Sequence, residues 1–278
     1  MTFLARFARN RGALLGLLIL LLVIAAAALA PALFPQSPWR MVSRPFLGPL
    51  VNERYLLGTD ALGRDVTSGL MHGARVSLMI GLVSTAVALL IGVPLGAVAG
   101  YFGGLADDLA MRFTELFQTI PSFALAIVIV AILQPSITSI VLAIALVSWP
   151  PVARLVRGEV LSLRSRDYVL AARTLGQRSG RIIFGQILPN TVAPVIVMAS
   201  LMIASAILLE SALSFLGLGD PNLMTWGYMV GAGRTRLIEA WWISFFPGLA
   251  IFLTVLALNL VGEGLSDALN PRLAREGR

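Results

Sequence analysis

The sequence predicts an all-α protein that crosses a membrane six times. Of its 278 residues, 58% are apolar and 13% are charged, whereas a soluble domain usually carries about 25% charged residues. The chain also contains several long apolar runs, and about 20 such residues span the hydrocarbon core of a bilayer as a helix. A lipid environment explains both observations.

Six apolar segments are predicted to be membrane-spanning helices. Pro94 and Pro121 fall within two of them and are expected to kink these helices. Gly92, Gly96 and Gly100, spaced four residues apart, predict a close helix contact, either within the chain or with a partner. The segments cover residues 13–34, 76–100, 113–133, 137–156, 191–216 and 243–265.

The first apolar segment is interpreted as an uncleaved helix. Ala28, Leu29 and Ala30 resemble a signal-peptide cleavage site, but the apolar run is long for a signal core and Pro31 would hinder cleavage. The whole chain is therefore expected to form one membrane domain. Its first part, residues 1–74, would comprise a cytosolic tail, one span and an outer loop, and residues 75–278 would form the core with five spans.

The arginines predict the orientation, because positive residues accumulate on the cytosolic side of a membrane. With the N-terminus inside, 14 of the 21 basic residues are cytosolic and seven are outside. Both termini are therefore expected in the cytosol.

The residues that are missing exclude several functions. The chain has no cysteine and no lysine, so disulfides, thiolate metal sites and a P-loop lysine are ruled out. Its single histidine, His72, cannot form a multi-histidine metal site, and the sequence has no HExxH motif for a metalloenzyme. The arginines lie beside apolar runs, which indicates a membrane surface and not a nucleic-acid partner.

One long cytosolic segment, residues 157–189, is patterned as two short helices. Asp167 can cap the first helix, Ala171 and Ala172 keep it thin, and Gly176 can adopt the left-handed conformation that ends it. Ser179 can cap the second helix, which has an apolar stripe formed by Ile182, Ile183 and Ile187. An amphipathic helix that merely lies on the bilayer is the alternative interpretation.

This segment resembles the cytosolic EAA loop with which ABC importer permeases dock onto their ATPase subunits. Leu170 and Gln186 depart from the loop pattern, in which Glu and an apolar residue are usual. The resemblance implies an ATPase-docking site formed by Asp167, Tyr168, Ala171, Ala172, Arg173, Gly176, Leu188 and Pro189.

Further motifs resemble the dipeptide, oligopeptide and nickel permeases within that group. They cover nearly the whole chain, and the long first outer loop resembles that of the second permease of the usual pair. The motifs lie at residues 57–65, 73–78, 213–219, 226–227, 241–242, 246–248, 259–267 and 270–272.

The resemblance implies a six-helix permease with the fold of type I ABC importers, in a bacterial or archaeal cytoplasmic membrane. Its partners would be a homologous second permease, two ATPase subunits that bind ATP and Mg²⁺, and an extracytoplasmic solute-binding protein. This chain would bind no cofactor and carry no catalytic residue. It would couple ATP hydrolysis to alternating access for peptides or a related solute such as a nickel chelate.

Polar residues near the spans are candidates for the translocation pathway. Glu210 lies in the fifth span and either faces a cavity or pairs with a neighbouring helix. Asn259 and Glu263, with Asp267, share one face of the sixth span and line either a route or a solvated helix end. A secondary transporter that carries a proton on Glu210 or Glu263 is the rival function.

Two outer features also have alternative interpretations. Asp60, Arg64 and Asp65 resemble a charge-paired turn, which either contacts a binding protein or has a structural role. His72 would be a candidate nickel ligand in a nickel importer, although one imidazole is weak support.

Overall fold

Long helices account for most of the chain in the computed structural model, which describes residues 3–269. The terminal motif at residues 270–272 lies outside that range. In chain order the helices are α1 (Phe3–Arg9), α2 (Arg11–Leu33), α3 (Val66–Phe102), α4 (Gly104–Thr119), α5 (Ser122–Leu133), α6 (Ile137–Leu163), α7 (Asp167–Thr174), α8 (Ser179–Ile182), α9 (Leu188–Phe215), α10 (Trp226–Gly233) and α11 (Trp242–Leu269). A π-helical segment (Ile183–Ile187) joins α8 to α9, and a 3₁₀ turn (Arg234–Arg236) follows α10.

Five helical segments of the described chain are long and apolar enough to cross a membrane. They are α2, α3, α6, the continuous helix Ser179–Phe215 and α11. Helices α4 and α5 make a sixth span only when they are taken together, because they are bent by 84° at their junction. The predicted all-α polytopic fold is confirmed.

The third span was wrongly predicted as one helix over residues 113–133. The proline ring of Pro121 disfavours a helical conformation at the preceding residue, and Ile120 is extended, with φ −92° and ψ 130°. Helix α4 therefore ends at Thr119, and α5 starts again at Ser122. The kink expected at Pro121 is thus a complete break.

A close helix packing joins α3 to α6 through the three glycines at four-residue spacing. A Cβ atom on Gly92 would lie 2.6 Å from Val152 Cβ, and one on Gly100 would lie 2.8 Å from the Arg157 carbonyl oxygen. A Cβ atom on Gly96 would collide with the Ala153 carbonyl oxygen. The predicted close contact is therefore confirmed, and it lies within the chain.

The first and last spans pack on each other and complete one side of the bundle. A Cβ atom on Gly16 of α2 would lie 2.8 Å from the Ala257 carbonyl oxygen of α11, and one on Gly262 of α11 would lie 2.5 Å from Ser200 Oγ of α9. Helix α11 thus sits between α2 and α9.

The outer segment between α2 and α3 is irregular but folded. Thr59 is fully buried; its Oγ1 accepts the Leu47 N–H and donates to the Arg44 carbonyl oxygen, and its own carbonyl accepts the indole N–H of Trp242. Asp65 caps α3 through the Thr67 N–H, so the helix begins at Val66, ten residues before the predicted span. The proposed division after residue 74 falls within this helix.

Substitution of Gly96 tests the α3–α6 contact. Gly96→Ala should lower the thermal midpoint of the detergent-solubilised protein, because overpacking of a close contact costs about 1–3 kcal/mol. Gly158→Ala is the matched control: Gly158 lies inside α6 with open space around its Cα, and alanine there should stabilise the helix by about 0.5–1 kcal/mol. Equal midpoints for both variants would contradict this packing.

Candidate functional site

Helix α7 ends in a well-formed Schellman motif. Gly176 has φ +73°, its N–H donates to the Arg173 carbonyl oxygen at 3.0 Å, and the Gln177 N–H donates to the Ala172 carbonyl oxygen at 3.1 Å. This left-handed position was predicted at Gly176, and the backbone confirms it. The glycine terminates α7 and turns the chain toward α8.

One face of α7 is held by the body of the protein. Val169 is fully buried, and only 4% of Ala172 is exposed. Both belong to an apolar cluster that includes Val160 of α6 and Ile182, Ile183 and Ile187 after α7. Ala172 was expected to allow the approach of another protein, but it makes room for the chain's own core instead.

Two polar contacts fix the same segment from its sides. The guanidinium of Arg173 lies over the Tyr101 ring, 4.6 Å from the ring centroid. The Gln186 amide donates to Gln177 Oε1 at 2.8 Å, which ties the end of α7 to the π-helical segment. Tyr101 belongs to the last turn of α3, so α7 is attached to a span at this point.

The opposite face of α7 is exposed and partly apolar. Tyr168 is 43% exposed and Leu175 is 79% exposed. Asp167, Ala171 and Gly176 are also exposed. We call these five residues the α7 outer face.

The second predicted loop helix is continuous with the following span. Ser179 does not cap it, because Arg178 occupies the cap position and the helix runs through α8 and the π-helical segment into α9. Pro189, at the start of α9, cannot bond the carbonyl of residue 185 and would clash with it in an α-helix. The wider π turn avoids this clash, and the Asn190 amide donates to the Gln186 carbonyl oxygen at 2.6 Å.

The last two predicted docking residues lie on this continuous helix. Leu188 is half-buried and packs against the same apolar cluster as Val169. Pro189 is exposed and lines an open groove with Phe184 and Val93. These residues therefore do not share the α7 outer face.

An ion pair, which the sequence did not reveal, joins α4 to α6. The Arg157 guanidinium bonds both carboxylate oxygens of Asp107, with Nη2 donating to Oδ2 at 2.6 Å. Arg164 Nη1 donates to the Gly100 carbonyl oxygen at 3.0 Å, which satisfies a terminal carbonyl of α3. Asp107 was not singled out because it falls in the connection between the second and third predicted spans.

Glu210 lies inside the helix bundle. It has no exposed surface, its Oε1 accepts the Ser214 hydroxyl at 2.7 Å, and the hydroxyls of Ser211 and Thr225 lie beside it. Of the two interpretations of Glu210, the geometry matches pairing with neighbouring groups. It offers no support for a proton carrier that must reach water from both sides of a membrane.

Asn259 and Glu263 are exposed on one side of α11, one helical turn apart. Asp267, one turn further, accepts a hydrogen bond from the Asn10 amide at 3.0 Å and thereby joins the ends of α11 and α2. The three residues share a face as predicted, but Asp267 has a structural partner.

The outer turn is held by local hydrogen bonds. Asp60 Oδ1 accepts hydrogen bonds from the N–H groups of Leu62 and Arg64. Burial of the Asp65 carboxyl raises its pKa above the ordinary value. His72 Nε2 lies 3.0 Å from the Phe34 carbonyl oxygen. Within residues 3–269 no group of three or more acidic or histidine side chains could hold a metal ion. These positions support the structural interpretation of the turn.

A cavity of about 590 Å³ opens between α5, α6 and α9. It is lined by Ser122 of α5, by Val147, Ser148 and Pro151 of α6, and by six residues of α9 that include Met198, Met202 and Ser205. Neither Glu210 nor the pair on α11 lines it. The strongest signal that could have pointed to it is the Pro150–Pro151 pair in the middle of an apolar span.

Two family models match this chain. The family described as "Binding-protein-dependent transport system inner membrane component" matches residues 92–275. The family described as "N-terminal TM domain of oligopeptide transport permease C" matches residues 2–49. Together they cover both the first span and the core.

Several characterised relatives are similar over nearly their full length. The di/tripeptide transport system permease protein DppC of Pseudomonas aeruginosa is 46% identical over 96% of this chain and 90% of its own length. The dipeptide permease DppC of Bacillus subtilis is 40% identical over 97% and 85%. The glutathione transport system permease protein GsiD of Pectobacterium atrosepticum is 40% identical over 98% and 90%.

The fold also matches a solved transporter. A chain of the inward-facing MetNI methionine ABC transporter aligns with a TM-score of 0.60 and 15% identity, over 73% of this chain and 96% of that one. The predicted importer-permease fold and family are therefore confirmed. The chain belongs to the oligopeptide permease C type of inner-membrane permease subunits in binding-protein-dependent ABC importers.

Proposed function

We propose that this chain is the second permease of an importer for dipeptides and other short peptides, and that the α7 outer face docks onto an ATPase subunit. Subunits of this family bind no nucleotide themselves, and ATP is bound by partner ATPase subunits. The observation that carries the proposal is an exposed apolar surface on a helix whose other face is fixed to the spans. Such a helix can receive a force and pass it on.

The contacts of α7 supply the path for that force. Val169 and Ala172 are embedded in the cluster that contains residues of α3 and α6, and Arg173 stacks on Tyr101. Interiors are close-packed and transmit displacement instead of absorbing it. A movement of α7 is therefore expected to displace the cytosolic ends of α3 and α6, which is how ATP-driven closure of two ATPase subunits would drive alternating access.

The α7 outer face has the composition of a protein contact. Exposed aromatic and aliphatic side chains anchor interfaces, and Tyr168 and Leu175 are both exposed. A homologous permease would supply the second docking segment and the other half of the route. An extracytoplasmic binding protein would deliver the solute to the outer side.

The orientation supports docking on the cytosolic side. The chain's N-terminus, the ends of α3 and α6, and the segment with α7 fall on one side of the bundle, since each span reverses direction. That side carries Arg157, Arg164, Arg166, Arg173, Arg178 and Arg181, as the excess of positive charge in the cytosol requires. Both described ends of the chain would then be cytosolic.

The proposed substrate class rests on the relatives, which are named for dipeptide, di/tripeptide and glutathione transport. The chain should support ATP-dependent uptake of a radiolabelled dipeptide when it is reconstituted with its partner permease, ATPase subunits and binding protein. Vesicles without the ATPase subunits are the control. Uptake that persists in that control, or that follows a proton gradient, would refute the proposal.

Charged residues introduced on the α7 outer face test the docking. Leu175→Arg and Tyr168→Asp should each lower the amount of ATPase that co-purifies with the permease by about tenfold, because interface anchors typically contribute about 1–2 kcal/mol or more. Ile238→Arg is the control, since Ile238 is fully exposed on the opposite side of the membrane. Unchanged co-purification for both α7 variants would place the contact elsewhere.

Gly176 tests the geometry of the segment. Gly176→Val should uncouple ATP hydrolysis from uptake, because a β-branched residue at φ +73° costs about 1–3 kcal/mol of backbone strain. No atom of the described chain is found within 4 Å of the position of an added Cβ, so no clash inside this chain adds to the backbone effect. Gly176→Asn is the control, since asparagine tolerates the left-handed region; a loss of coupling as large in this variant would argue against the geometric explanation.

A further inference from the structure

The cavity between α5, α6 and α9 has a feature that packing does not explain. The hydroxyl groups of Ser122, Ser148 and Ser205 come from three different helices and line the same space. Among residues 3–269, none of these three hydroxyls has a hydrogen-bond partner within the chain. By contrast, Ser200 and Thr254, in neighbouring spans, bond to backbone carbonyls of their own helices.

Two prolines of α6 at the cavity also leave backbone acceptors without their usual helical donors. Pro151 has no N–H, so the carbonyl of Val147 lacks its usual helical donor, and Pro150 has the same effect on Leu146. Val147 and Pro151 both line the cavity. Three serines and a residue whose carbonyl lacks its helical donor therefore line the same cavity.

The three serines lie at similar distances along their helices from the outer helix ends. Ser122 is 11 residues from the end of α5, Ser148 is 11 residues from the start of α6, and Ser205 is 10 residues from the end of α9. At 1.5 Å per residue, each lies about 15–17 Å from the outer end of its helix. This distance is near the middle of a hydrocarbon core of about 30 Å.

Lipid is a poor occupant for such a surface, because polar groups without partners are costly in hydrocarbon. A peptide group is a good occupant, because it offers one N–H donor and one C=O acceptor. A serine hydroxyl can bond either group, since it can both donate and accept a hydrogen bond. The volume of about 590 Å³ is in the range of sites for small ligands.

We infer that this cavity is this chain's half of the peptide translocation route, in which the Ser122, Ser148 and Ser205 hydroxyls and the Val147 carbonyl bond the backbone of the transported peptide. The inference rests on the proposed function and deepens it. None of the ten described lining residues is charged, so the side chains of the cargo are not selected here by charge. Met198 and Met202 are flexible and polarizable, and such side chains adapt to cargo of varied shape.

Thiol labelling tests whether the cavity is open to water and cargo. The chain has no cysteine, so Ser205→Cys introduces its only thiol. In the assembled importer this thiol should react with a water-soluble methanethiosulfonate reagent, and saturating dipeptide during turnover should slow the reaction about fivefold or more. Ser200→Cys is the control on the same helix, because Ser200 is 8% exposed and packs against α11, and it should not react.

Transport kinetics test the backbone contacts. Ser122→Ala, Ser148→Ala and Ser205→Ala combined should lower kcat/KM for dipeptide uptake about a hundredfold, since each lost hydrogen bond costs about fivefold. Ser200→Ala should change it less than twofold. A dipeptide analogue with an ester in place of the amide should be disfavoured by the wild-type importer and less so by the triple variant. The wild-type importer and the triple variant use the same binding protein, so its own preference between amide and ester affects both equally.

The proposed function and the inference about the cavity are refuted by different results. If the wild-type importer does not take up dipeptides, the proposed function falls. If it does, but Ser205→Cys reacts only with a lipid-soluble maleimide, or the triple variant discriminates against the ester as strongly as wild type, the inference about the cavity is wrong.

Discussion

The close contact between α3 and α6 is the constraint on which the rest of the structure depends. At Gly92, Gly96 and Gly100 the two helices approach so closely that no side chain fits between them. This contact brings together Tyr101 at the end of α3 and Val160 near the end of α6. These two residues belong to the apolar surface against which α7 packs. Wider separation of the two helices would remove the partners of Val169 and Ala172, and α7 would have no fixed position.

Three arginines join the helices around this apolar surface at its polar edge. Arg157 pairs with Asp107 of α4, Arg164 bonds a terminal carbonyl of α3, and Arg173 stacks on Tyr101. Arg157 and Arg164 were predicted only as charges that orient the chain in the membrane, whereas Arg173 was also predicted to be a docking residue. Because they tie α3, α4, α6 and α7 together, we expect these parts to move as one body. The break at Ile120 and Pro121 then provides the bend between α4 and α5.

Sequence patterns predicted what depends on one residue's own chemistry. The glycine spacing identified the α3–α6 contact, Gly176 was recognised as a left-handed helix end, and apolar runs identified the spans. Contacts that depend on a distant partner were not predictable. The small size of Ala172 indicated a close approach, but not that the approaching group was the chain's own core. Glu210 looked like a pathway residue because its partners, Ser214 and Thr225, are ordinary residues in the sequence. Likewise, Pro189 was predicted to mark the start of the fifth span. In the structure the preceding π turn makes the helix continuous across this position.

The absence of charge from the cavity lining has a physical reason. A search for polar and charged residues in the spans leads to Glu210, Asn259 and Glu263, none of which lines the cavity. A fixed charge at mid-membrane would hold a zwitterionic peptide tightly, and a conduction route must bind cargo strongly enough to admit it yet weakly enough to release it. Neutral hydroxyls provide bonds of about 1 kcal/mol each, and every peptide offers the backbone groups that they recognise. Three such bonds orient the cargo without trapping it, so discrimination among peptides can be left to the binding protein.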